Sequence, residues 1–186
     1  MPRRFSESPP VELTSCGTEA LANSHSPCCR HLLKYSNRSW RDVSDSQPKG
    51  CMYIGEIKGG LRPSMKLVVM GIINKKPKSM EVSLSSTAQE EDTEADVGLQ
   101  LKVNFMDKAV QRNARLAGKW GPAENTLSFF PFAPGESFKM EIVCEHQQFR
   151  ILVDGQPLCG FSHRLSQLAS LKTLRVFGDL QLTKVA

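Results

Sequence analysis

Residues 99–132 contain the side chains whose types and spacing are best suited to chemistry. Gln100, Lys102 and Asn104 alternate with apolar residues, which is the period of a strand that buries one face. A turn over residues 106–108 and a polar run follow, and the run ends at Trp120. Because an indole can cover the apolar face of a pyranose while a polar row meets its hydroxyls, the pattern indicates a sugar-binding surface.

The same stretch resembles the signature of the galectin family. Val110 and Asn113 form a slightly widened V-x-N pair, Trp120 and Gly121 match the W-G of the motif, and residues 130–132 read F-P-F. In galectins, a strand carrying His, Asn and Arg precedes these elements, and the three side chains hydrogen-bond the axial hydroxyl of galactose. The resemblance therefore implies a carbohydrate site on this stretch.

Compared with that motif, this chain keeps some ligand positions and replaces others. The retained carbohydrate-binding positions implied by the resemblance are Asn113, Trp120 and Glu124. The substituted positions are Gln100 in place of His, Lys102 in place of Asn, and Asn104 in place of Arg. The segment after Trp120 is one residue longer than the family pattern, and Asn125 or Thr126 stands where a second Arg is expected.

These substitutions predict a galectin-like binding protein with a degenerate carbohydrate site and weak or no binding of lactose-type β-galactosides. Two alternatives stay open: a lectin with altered glycan specificity, for instance toward an anionic glycan, and a protein-interaction adaptor. Two of the retained residues also have structural interpretations, since Asn113 suits a turn that satisfies local backbone groups and Trp120 suits a packed aromatic.

The rest of the chain predicts an all-β fold, a two-sheet antiparallel β-sandwich, with short strands separated by turns every ~8–12 residues. Asp154-Gly155 predicts a type I′ hairpin, Gly178-Asp179 predicts another hairpin, and a strand is expected to begin near Leu127. A helical turn is expected within 163–171. Motifs at 149–158, 163–165 and 178–180 also resemble galectins, which implies a galectin-like jelly roll, closest to the galectin-related branch of the family.

The domain prediction is a disordered Ser/Pro-containing tail over residues 1–50, followed by a galectin-like carbohydrate-recognition domain over 51–186. The tail composition offers too little apolar surface to offset the entropy of ordering. The acidic run 89–96 is expected to be a solvated loop.

No catalytic motif is present, so the sequence predicts a protein that is not an enzyme and needs no cofactor. His163 is expected to hold a loop, and Cys144, Glu145 and His146 lie too close along a strand and its turn to form a catalytic set. The run 25–31 lacks the spacing of a zinc site, and 89–96 lacks that of a calcium loop. The six cysteines are expected to be free thiols.

Charge and hydropathy narrow the possible partners. The net charge of +5 divides into +2 for residues 1–50 and +3 for 51–186, without the concentrated basic field that nucleic-acid binding requires. No apolar run reaches ~20 residues, so no membrane span is expected. The expected partners are a glycan or glycoprotein other than typical lactose, or a protein. The expected location is cytoplasmic, with nuclear or signal-independent extracellular fractions allowed by the resemblance.

Overall fold

The computed structural model describes residues 13–14, 51–89 and 92–186, and it confirms the predicted all-β fold of two antiparallel sheets. The predicted disordered tail lies outside the described residues, apart from Leu13–Thr14. The strands in chain order are β1 Leu13–Thr14, β2 Cys51–Ile57, β3 Lys66–Ile73, β4 Ser79–Ser85, β5 Val97–Asn104, β6 Ala109–Leu116, β7 Lys119–Trp120, β8 Ser137–Cys144, β9 Gln148–Val153, β10 Gln156–Ser162, β11 Thr173–Gly178 and β12 Leu180–Val185.

The strands form two sheets that pack face to face. One sheet has the order β1-β2-β11-β4-β5-β6-β7, and the other has the order β10-β9-β8-β3-β12. In β5, Leu99, Leu101 and Val103 are almost fully buried, and the polar residues between them face away from the core. The opposite sheet contributes inward residues such as Phe149 and Ile151, which are fully buried. Each such burial stabilises the fold by about 1.5–3 kcal/mol.

The turn at Asp154-Gly155 is a hairpin as predicted. Both residues have positive φ, 51° and 78°, which a type I′ turn requires, and the turn joins β9 to β10 in one sheet. The helical turn expected within 163–171 is a single 3-10 turn over Leu168–Ser170.

The hairpin predicted at Gly178-Asp179 is wrong, because the chain changes sheets there. β11 pairs with β2 and β4, whereas β12 pairs with β3 in the other sheet. Gly178 has a φ of 125°, and a Cβ there would lie 2.5 Å from both the Cα of Met80 and the carbonyl oxygen of Ser79. The Asp179 carboxylate accepts backbone hydrogen bonds from Lys78 and Ser79, which fixes the crossing.

The strand predicted near Leu127 is also wrong. Residues 121–136 are irregular apart from one bridge, and Pro131 lacks the N–H that a ladder would need. The aromatic residues of this segment pack as a cluster instead. Phe130 and Phe132 contact Phe105 edge to face at centroid distances of 6.1 and 6.4 Å, so the segment closes one end of the core.

Among the described residues, no helix is long and apolar enough to cross a membrane.

Candidate functional site

Strand register brings the predicted polar row together with polar residues of the neighbouring strands. Gln100 of β5 lies between Ser83 of β4 and Asn113 of β6, and Lys102 lies opposite Glu81. These side chains share the outer face of the seven-stranded sheet, because the residues that alternate with them are in the core. The face predicted to bind sugar is therefore a continuous polar surface over three strands.

Gln100, which the sequence resemblance matches to a galectin His, is bonded within the sheet. Its Nε2 donates to Oε1 of Glu81 at 2.7 Å, across the diagonal between β5 and β4. Beside this pair lies a shallow cavity of about 80 Å³, lined in part by Arg115, Trp120 and Arg175. That volume is far below the 300–1,000 Å³ of a typical ligand pocket, so this part of the face is an indentation rather than a formed pocket.

Asn104, which the sequence resemblance matches to a galectin Arg, closes the β5–β6 turn. Its Oδ1 accepts the backbone N–H groups of Met106 and Asp107 at 2.9 and 3.2 Å, and its Nδ2 donates to the Asp107 carboxylate. This is the local arrangement that makes Asn common in turns. Lys102, in contrast, is exposed on the same face.

Both the nitrogen and the oxygen of the Asn113 side-chain amide are hydrogen-bonded within the protein. Its Nδ2 donates to the carbonyl of Gly121 at 2.9 Å, and its Oδ1 accepts from the backbone N–H of Ala114 at 2.8 Å and from Nη1 of Arg164 at 3.1 Å. The residue is 9% exposed. The interpretation of Asn113 as a turn residue is wrong, because the residue lies inside β6, but its side chain does satisfy backbone groups at Gly121 and Ala114.

Trp120 keeps an open surface, with 45% of the residue exposed. It lies opposite Arg115 on β6, whose guanidinium carbon is 5.5 Å from the indole centroid. The same guanidinium donates to the carbonyls of Ala95 and Asp92 at 3.0 and 2.8 Å. The described part of the acidic loop is thus anchored beside the tryptophan, where the sequence predicted only a solvated loop.

Glu124 is held against β6 by its backbone and by an arginine from the segment that follows β10. Its backbone N–H donates to the carbonyl of Arg112 at 2.9 Å, and its carbonyl accepts from the N–H of Arg112 at 2.8 Å. Its Oε1 accepts from Nη2 of Arg164 at 2.9 Å. Sequence reasoning did not select Arg164 as a site residue. Its place in the His-Arg-Leu motif at 163–165, which resembles galectins, was the one available signal.

Comparison with known proteins agrees with this fold. The family model described as Galactoside-binding lectin matches residues 52–186. The chain belongs to this family. Galectin-4 of Sus scrofa is 35% identical over 133 residues, which are 72% of this chain and 40% of that protein. Galectin-4 of Homo sapiens is 30% identical over 133 residues, which are again 72% of this chain and 40% of that protein. The chain thus spans less than half the length of these relatives.

A solved structure supports the same assignment at the level of fold. Sheep Galectin-11 in complex with glycerol superposes with a TM-score of 0.62 and 24% sequence identity, covering 77% of this chain and 98% of that one. The predicted membership in the galectin family is confirmed.

The galectin fold of this chain buries an arginine behind its polar face. Arg112 is 3% exposed, and its Nε and Nη1 have no hydrogen-bond partner among the described residues. Its guanidinium lies beside the thiol of Cys159. Burial raises the pKa of Cys159, the guanidinium opposes that rise, and the Glu124 carboxylate adds to it. Arg112 therefore belongs to the buried support of the face rather than to its exposed surface.

The other residues considered for chemistry are structural in this lectin fold. Nε2 of His163 lies 2.8 Å from the carbonyl oxygen of Glu145, and its ring packs on Phe149, so it holds the β8–β9 turn. Burial raises the pKa of Cys144 to about 11. The described residues contain no group of metal-ligating side chains, and Cys144 and Cys159 are free thiols. The run 25–31 lies outside the described residues.

The internal bonds of Asn104 predict that this residue contributes to stability. Asn104→Ala should lower the free energy of unfolding by about 1–2 kcal/mol, because it leaves two backbone N–H groups of the turn without their acceptor. Lys102→Ala, on the same strand and face, should change it by less than about 0.5 kcal/mol. Urea unfolding of both variants measures the difference, and equal effects would contradict the structural role of Asn104.

Proposed function

We propose that this protein is a galectin-fold binding module with a degenerate sugar face, which binds lactose-type β-galactosides weakly or not at all. The observation that carries the proposal is the internal engagement of the residues at the ligand positions. Gln100 is bonded to Glu81, Asn113 to Gly121 and Arg164, and the carboxylate of Glu124 to Arg164. A sugar hydroxyl would have to compete with these bonds.

The energies involved favour the existing bonds. A hydrogen bond that leaves a partner unpaired costs roughly 1–3 kcal/mol. A small sugar bound at millimolar to micromolar strength has only about 4–8 kcal/mol of binding free energy in total. Losing the three strand ligands, or breaking the internal bonds of their replacements, removes most of that free energy. Stacking on Trp120 then remains as the main available contact.

A lactose titration tests this proposal. Trp40→Phe leaves Trp120 as the sole indole, so its fluorescence reports on the face directly. We expect no saturation at or below about 1 mM lactose, because the hydrogen-bonding share of the binding free energy is missing. A galectin that keeps the strand His, Asn and Arg is the positive control. Saturable binding below 1 mM in this titration, confirmed by calorimetry with the parent and lost in calorimetry with Trp120→Ala, would contradict the proposal.

A second candidate function is a lectin with altered glycan specificity. It is favoured by the exposed Lys102 on the polar face and by two arginines, Arg115 and Arg175, that line the indentation beside Trp120. Cations on a sugar face suit a carboxylate or sulfate group more than a neutral hydroxyl, since ionised acceptors form stronger hydrogen bonds. The ligand of this candidate is an anionic glycan or glycoprotein.

A glycan array that contains sulfated and sialylated structures tests the second candidate. We expect any signal to favour anionic over matched neutral glycans by about tenfold, and to weaken with rising salt. Lys102→Ala should reduce the signal and Trp120→Ala should abolish it. Lys184→Ala, on the other sheet, is the matched control and should leave it unchanged. No signal from any anionic glycan would contradict this candidate.

A further inference from the structure

Arg164 reaches from one sheet to the back of the sugar face on the other. It follows β10 of the five-stranded sheet, in the segment between that strand and the 3-10 turn. Its guanidinium nevertheless contacts Asn113 and Glu124, which flank Trp120 in the sequence. It connects the segment after β10 with two of the predicted ligand positions.

The two terminal nitrogens and the planar face of the guanidinium make separate contacts. Nη1 donates to Oδ1 of Asn113 at 3.1 Å and Nη2 donates to Oε1 of Glu124 at 2.9 Å, while the guanidinium carbon lies 4.6 Å from the ring centroid of Phe161. Two donors in one plane and a stacked ring are features that an arginine provides and a lysine does not. The side chain of Arg164 is 22% exposed.

The contacts of Arg164 extend to the residue after Trp120. A Cβ placed on Gly121 would lie 2.7 Å from Nη1 of Arg164, so the guanidinium lies directly against this glycine. The carbonyl of Gly121 accepts from Asn113, and its N–H donates to the carbonyl of Ala114 at 3.0 Å. The backbone on one side of Trp120 is therefore fixed by a network that Arg164 completes.

We propose that Arg164 is a positioning residue of the lectin face, which sets the orientation of Trp120 through Asn113, Gly121 and Glu124. This inference rests on the proposed function for its biological meaning, because Trp120 is the sugar-stacking residue of that proposal. Arg164 also donates to acceptor atoms on Asn113 and Glu124, so a sugar hydroxyl at these atoms would share them with the guanidinium. The same guanidinium therefore acts both on the placement of Trp120 and on the polar groups of Asn113 and Glu124 beside it.

The test measures the exposure of Trp120 in the Trp40→Phe protein. In Arg164→Ala, the acrylamide quenching constant of Trp120 should rise by up to about twofold, the limit set by its present 45% exposure. Exchange of the Gly121 amide hydrogen should become about tenfold faster or more. Arg164→Lys should give a smaller rise, because an ammonium keeps the charge without the planar pair of donors.

Arg150→Ala is the matched control. Arg150 lies on β9 and pairs with Glu145 at 3.1 Å, so the variant also removes an arginine–glutamate ion pair but leaves Trp120 untouched. Its quenching constant should equal that of the parent. The inference is overturned if Arg164→Ala folds with unchanged quenching and unchanged Gly121 exchange. If Arg164→Ala does not fold, an unchanged quenching constant in Arg164→Lys overturns it.

This readout needs no ligand, so it separates the two proposals. Altered Trp120 exposure in the Arg164 variants, together with sub-millimolar lactose binding by the parent, would retain the positioning role and reject the degenerate site. Unaltered Trp120 exposure in the Arg164 variants, together with no lactose binding by the parent, would reject the positioning role and retain the degenerate site.

Discussion

The register of β5 against β4 and β6 determines which side chains the lectin face presents. Leu99, Leu101 and Val103 are buried between the sheets, and this burial forces the alternating polar residues to the outer face. A slip of one residue would bury the polar row and expose the apolar one, at a cost of several kcal/mol for the three apolar side chains. The fold thus keeps a polar face at the galectin site, whatever the identities of its residues.

The polar face differs from a free ligand site in how its groups are used. Gln100 is bonded to Glu81, Asn104 closes its own turn, and Asn113 supports the backbone at Gly121. Each bond lies within the protein, so each raises the cost of turning that group toward a sugar. Trp120 is the contrasting case, since its contact with Arg115 leaves 45% of the residue exposed.

The sequence predicted those parts of the fold that depend on local chemistry. The I′ turn at Asp154-Gly155 and the alternation in β5 follow from residue type and spacing alone. The hairpin at Gly178-Asp179 failed because the choice between staying in one sheet and crossing to the other depends on contacts with residues 78–80, about a hundred positions away. Local turn chemistry does not encode that choice.

The site was predictable to a similar extent. The positions of Gln100, Lys102, Asn104 and Trp120 on one face could be read from periodicity and the family signature. Their partners could not, because Glu81 lies on another strand and Arg164 in the segment after β10 of the other sheet. β6 was missed as a strand because Arg112, a charged residue, occupies a buried position in it.

The internal bonds of the polar face can be tested most directly through its side-chain amides. The NH₂ signals of Gln100, Asn104 and Asn113, recorded by NMR with and without lactose, report on the same groups that the account assigns to internal partners. We expect no lactose-dependent shift in any of the three, and slow hydrogen exchange for the NH₂ of Asn113. Concerted, saturable shifts of these amides would contradict it.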